Sequence, residues 1–102
     1  MPDYRIFFTP DADEEVLKSY EWGVQYWGEE AAVKWLRDLY SVIFQRLAQF
    51  PFSYPLAPES YETERQVRHL IHGRYRILFE IRDDTIILLQ LVGPFRGSSD
   101  RE

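Results

Sequence analysis

The chain has 102 residues, 45% of them hydrophobic and 28% charged, with a formal net charge of −5; this size and balance suit one globular domain, not two cores. It contains no cysteine, which excludes a disulfide framework, thiolate catalysis and a cysteine-held metal. No uncharged apolar run approaches the roughly 20 residues of a membrane span, and the apolar part of MPDYRIFF is too short for a signal sequence, so a cytoplasmic protein without membrane contact is expected.

In chain order, the aromatic and aliphatic run Tyr4 to Phe8 reads as a strand. Thr9 then offers an N-cap hydroxyl and Pro10 stands where a helix best tolerates proline. Asp11, Asp13, Glu14 and Glu15 place negative charge where the helix dipole favours it, so this acidic set is read as helix stabilisation and no metal is assigned. The predicted inward stripe is Ala12, Val16, Tyr20, Val24 and Trp27, interrupted at Gly28. A second helical pattern runs from Glu29 through Ala32, Trp35, Leu36, Leu39, Ile43, Leu47 and Phe50 to Pro51. With almost no spacer between them, the two helices must fold back as an antiparallel hairpin that turns at Gly28.

Residues 51–64, PFSYPLAPESYETE, hold three prolines and no periodicity, and read as a loop wrapped over the domain with its aromatics tucked in. Three alternating runs follow, RQVRHLIH, RYRILFEIR and TIILLQLV, with turns near Gly73 and at Asp83-Asp84. In the middle run Tyr75, Ile77, Phe79 and Ile81 share the face expected beneath the helices; Arg74, Arg76, Leu78, Glu80 and Arg82 share the other, expected to be uncovered and basic. The predicted fold is α+β, in the order β-α-α-β-β-β, with the helical hairpin packed on one face of an antiparallel sheet. One domain over residues 1–97 and a polar tail at 98–102 are expected.

Charge divides unevenly along the chain. Residues 1–64 have five Lys/Arg against twelve Asp/Glu, whereas residues 65–102 have seven Arg against five Asp/Glu. Long-range attraction to nucleic acid is therefore poor, but an arginine fork can still hold a phosphate or carboxylate locally.

Order, length and motifs together resemble the RelE/ParE superfamily, the toxin halves of type II toxin–antitoxin pairs, also known as plasmid stabilisation proteins. The resemblance lies in FTPDADEEV for the first strand and helix, EEAAVKWLRDLYSVIFQRLAQFP for the second helix, and VRHLIHGRYRILFEIRDDTIILLQLVG for the terminal sheet; GRYRILFEI followed by an acidic turn is the most specific piece. It implies a protein neutralised by a cognate antitoxin, acting on DNA gyrase in the ParE-like branch or, as a ribosome-dependent endonuclease, on messenger RNA in the RelE-like branch. A degenerate, non-toxic binding module of the same fold is the third reading, and a homodimer or a toxin–antitoxin hetero-oligomer is the expected assembly. No cofactor is implied.

The resemblance places the family's middle-strand arginine at Arg76, which in the nuclease branch stabilises the phosphate under attack. Where that branch carries further basic residues, and often a His or Tyr, after the last strand, this chain reads VGPFRGSSD. Arg76, with Arg68, Arg74 or Arg96 beside it, could stabilise charge, but no guanidinium exchanges protons readily near neutral pH, and acid–base catalysis alone contributes about 10²–10⁴-fold. Binding is therefore favoured over RNA cleavage, with Arg74, Arg76, Arg82, Arg96 and Trp22 as candidate contacts for target or antitoxin. Trp22 is chosen because it lies off the stripe of Ala12, Val16 and Tyr20. The plain alternative for Arg76 is a surface pair with Glu80 or Glu64. His69 and His72, three apart on one strand, should point to opposite faces and form no metal pair.

Overall fold

The computed structural model describes residues 3–93. Strand β1 (Arg5–Phe8) leads directly into helix α1 (Pro10–Trp27), followed by helix α2 (Glu29–Ser41) and a π-helical extension, Val42–Leu47. Single turns of 3-10 helix at Pro51–Ser53 and Pro58–Glu62 interrupt the loop before β2 (Arg68–His72), β3 (Tyr75–Arg82) and β4 (Thr85–Val92). Arg96 and the expected tail at 98–102 lie outside the described residues.

The element order is as predicted, but the sheet is mixed. Its strand order is β1-β4-β3-β2, with β1 parallel to β4 and the other pairs antiparallel. Thr9 fixes this corner: its backbone N–H donates to the Leu88 carbonyl at 3.1 Å, its hydroxyl donates to the same oxygen at 2.8 Å, and that hydroxyl accepts from the Ala12 N–H at 3.1 Å. One side chain thus caps α1 and ties the helix start to β4.

The inward stripe of α1 is Ala12, Val16, Ser19 and Gly23. It begins as predicted and then turns away from Tyr20 and Val24, which are half-buried. Small residues allow the helix to lie close to its neighbours; a Cβ on Gly23 would fall 2.8 Å from the Trp27 ring. Trp27, expected inside, is 42% exposed. Gly28 ends α1 at φ 97°, ψ 158°, a conformation open essentially to glycine alone. Along α2 and its extension Ala32, Leu39, Ile43 and Leu47 are buried as predicted, but Phe50 is not. The widened last turn, in which the Ala48 N–H reaches the Ile43 carbonyl at 3.0 Å, brings Ala48 inside in its place.

The main core lies between helices and sheet: Ala12, Val16, Leu39, Ile43 and Leu47 against Tyr75, Ile77, Phe79, Ile86, Leu88 and Leu91. The predicted inward face of β3 is correct. In β4 the alternation shifts, because Phe79 pairs with Leu88 while Leu78 pairs with Gln90, leaving Leu89 as an extra residue, a β-bulge. Strict alternation from Ile86 and Leu88 would drive Gln90 into the core; the bulge turns Gln90 out and Leu91 in.

The opposite face is not bare. Leu78, Val67 and Ala57 form a second buried cluster with Leu89 and Val92 against it. The proline-rich loop supplies the cover by crossing the β2 edge, where the His69 N–H donates to the Pro55 carbonyl and the Ala57 N–H to the Val67 carbonyl. Before the crossing, Tyr54 packs edge-on to Phe79 on the helical side. Of the loop aromatics expected to be tucked in, Phe52 and Tyr61 remain exposed.

Candidate functional site

Arg76 lies near the start of β3 on the outer face, paired with Ile71 of β2 and Val92 of β4. Its guanidinium is not free. Nη1 and Nη2 donate to the two carboxylate oxygens of Glu59 at 3.2 and 2.6 Å, and Nη1 lies 3.0 Å from His69 Nδ1. The surface partner is therefore Glu59, not Glu80 or Glu64. Chiefly through the hydrogen bonds from Arg76, the Glu59 carboxyl is held below its ordinary range, and the carboxylate in turn raises the guanidinium further. A carboxylate whose two oxygens both accept from one arginine is a weakened base, so this cluster is built for charge pairing more than for proton transfer.

Glu59 is positioned by its neighbours. It sits in the 3-10 turn Pro58–Glu62, between buried Ala57 and buried Ser60. The Ser60 hydroxyl donates to the Arg65 carbonyl at 2.9 Å and accepts from the Val67 N–H at 3.1 Å. Two anchors thus hold the residue between them over the sheet.

The other candidate arginines do not gather around Arg76. Arg68 pairs with Phe79 and so lies on the helical side, where it donates to the Tyr54 carbonyl and stacks over the Phe52 ring. Arg74 is exposed beside the β2–β3 turn. Arg82 is six residues along β3, roughly 20 Å from Arg76 at about 3.3 Å per residue, and lies 3.6 Å from Glu80. Glu80, only 5% exposed, also receives Arg65. The expected basic surface is in fact two separate ionic groups: Arg76 balanced by Glu59 from the loop, and Arg65 with Arg82 sharing the one carboxylate of Glu80. His69 and His72 do face opposite sides, paired with Leu78 and Tyr75 respectively. Among the described residues no group of three or more His, Cys, Asp or Glu could hold a metal, and no helix is long and apolar enough to cross a membrane.

The helical side offers a different surface. A groove of about 490 Å³ between α1 and α2 is lined by Val16, Leu17, Tyr20, Leu36 and Tyr40, with Asp13 and Glu14 among its lining residues. Burial and the nearby Asp13 push the Tyr40 phenol up. Phe8, Tyr40 and Phe44 continue this apolar surface as a ring cluster. Trp22 is half-buried, stacked on Tyr26 at 4.8 Å and edge-on to Trp27 at 5.4 Å. The aromatic that protrudes from this end of the hairpin is Tyr26, at 62% exposure.

Two helices on a four-stranded mixed sheet are the architecture of the RelE/ParE toxin fold. The family model described as the ParE toxin of type II toxin–antitoxin systems, parDE, matches residues 3–94, and the chain belongs to that family. The structure is similar to a chromosomal ParDE toxin–antitoxin system from P. aeruginosa, with TM-score 0.71, 20% identity, and 88% of this chain and 95% of that chain covered. It is also similar to the RelBE2 toxin–antitoxin complex from Mycobacterium tuberculosis, with TM-score 0.66, 21% identity, and 91% and 100% covered. No curated protein matches the chain.

Proposed function

We propose that this ParE-family toxin acts by binding a cellular target, DNA gyrase, and is neutralised by a cognate antitoxin that covers its helical groove. The observation that carries the binding reading is the Arg76 cluster: the carboxylate beside the arginine has both oxygens engaged by it, leaving a poor base for RNA cleavage. The antitoxin reading is supported by solved relatives that are themselves toxin–antitoxin systems. An amphipathic antitoxin helix fits a groove lined by leucines and tyrosines, and basic side chains on that helix would meet Asp13 and Glu14.

The purified chain is expected to inhibit gyrase supercoiling and to trap gyrase–DNA breaks, with no cleavage of ribosome-bound transcripts. Transcript cleavage with gyrase unaffected would reverse the assignment. Inactivity in both assays would leave a non-toxic binding module.

A further inference from the structure

The geometry points to Arg76 as an anion-binding site that the chain fills with its own Glu59, a built-in stand-in for a carboxylate of an acidic protein partner. This inference goes beyond the proposed function and rests only on Arg76 being a contact residue, whatever the cellular target.

Three observations carry it. First, Glu59 meets Arg76 through both carboxylate oxygens, the arrangement by which an arginine recognises an external carboxylate. Second, Glu59 lies in a short turn pinned at Ala57 and Ser60, so its carboxylate can swing aside by side-chain rotation while the backbone cover stays in place. The pair is partly exposed, 28% for Arg76 and 38% for Glu59, so exchange with an incoming anion needs no unfolding. Third, the surroundings favour a peptide over a nucleic acid. Ile71, on the same face and directly across from Arg76, is 66% exposed, and Val92 flanks it on the other side. A polyphosphate needs several cations in reach, whereas Arg65 and Arg82 gather around Glu80 farther along β3 and only Arg74, exposed beside the β2–β3 turn, lies near Arg76. A guanidinium set between two apolar neighbours suits an acidic side chain in a segment that also carries apolar residues. His69, at 3.0 Å from the guanidinium, helps hold it in place during the exchange.

The test compares the full chain with Glu59→Gln, with Glu62→Gln as a control of equal charge change in the same turn, and with the double variant Glu59→Gln/Arg76→Gln. Each is titrated at low ionic strength with a capped peptide of alternating valine and glutamate, and separately with a thymidine oligonucleotide of equal formal charge, following the backbone amide NMR signals of Ile71 and Val92 in every protein and the Arg76 Nε–H wherever that residue is present. Removing a partly exposed competitor should tighten peptide binding roughly fivefold in Glu59→Gln. The control should change by less than about twofold, as expected for one exposed charge, and the double variant should lose the gain. Glu59→Ala should reproduce the gain. Equal gains in Glu59→Gln and the control, a gain that survives loss of Arg76, or no Arg76 response in any protein would overturn the proposal. A larger gain for the oligonucleotide than for the peptide would overturn the choice of partner.

Discussion

The two faces of the sheet are held by different physics. Beneath the helices, regular alternation on β3 meets regular stripes on α1 and α2, and the result is one continuous apolar core. On the opposite face a few apolar residues are interleaved with charges, and an irregular loop supplies both the apolar cover and the counter-charge. Periodic packing can be read from spacing; cover by a loop depends on contacts between residues that no local pattern links.

The largest expected effect lies in the helical core. Phe79→Ala, at a fully buried position, should destabilise by about 3–5 kcal/mol in chemical denaturation. Leu78→Ala probes the other face one residue away. If the loop truly buries Leu78, the loss should be about 2 kcal/mol, at the low end for a core leucine because the cluster is small; a cost near zero would mean that this face is open. Arg76→Ala should cost under about 1 kcal/mol, since the ion pair is partly exposed, while removing binding of the target and leaving antitoxin binding at the helical groove in place. Aggregation of that variant would mark the arginine as structural.

The smallest effect is one of pH. Glu59 has a lowered pKa in the folded chain, so it contributes stability above its unfolded value of about 4.3, and that contribution is lost as pH falls through the lower folded value. As pH falls from about 5 through the unfolded carboxyl value, the wild type should lose more stability than Glu59→Gln, and melting curves taken across that fall would reveal it.

Much of the fold was legible. Thr9-Pro10 marked the start of α1, Gly28 the hairpin turn, and alternation on Tyr75, Ile77 and Phe79 the buried face; the resemblance of GRYRILFEI placed Arg76 on the central strand. The functional surface was far less so. Glu59 stands 17 residues from Arg76 in a segment without periodicity, and no spacing rule connects them. His69 was readable as lying on one face of β2, but not as the neighbour of Arg76, because that depends on the β2–β3 register. The shift in α1 had a weak signal in Ser19 and Gly23, small residues that permit close approach. The parallel β1–β4 pair had none in composition, since it joins chain segments 80 residues apart in register. One local clue was available for β4: Gln90 breaks an otherwise apolar run at a position that strict alternation would bury.

That extra residue at Leu89 has a consequence for how the chain tolerates change. It works like an inserted letter that resets a reading frame: upstream positions are read on one parity and downstream positions on the other. Removing it would leave Leu88 followed directly by Gln90, which simple alternation then turns outward opposite Leu78, so the end of the last strand would keep its inside and outside, including the partner of Arg76. A conservative replacement there should pass almost unnoticed, and loss of that one residue should cost little beyond its contact with the outer apolar cluster, so drift at this position is expected to accept removal of a letter as well as its substitution.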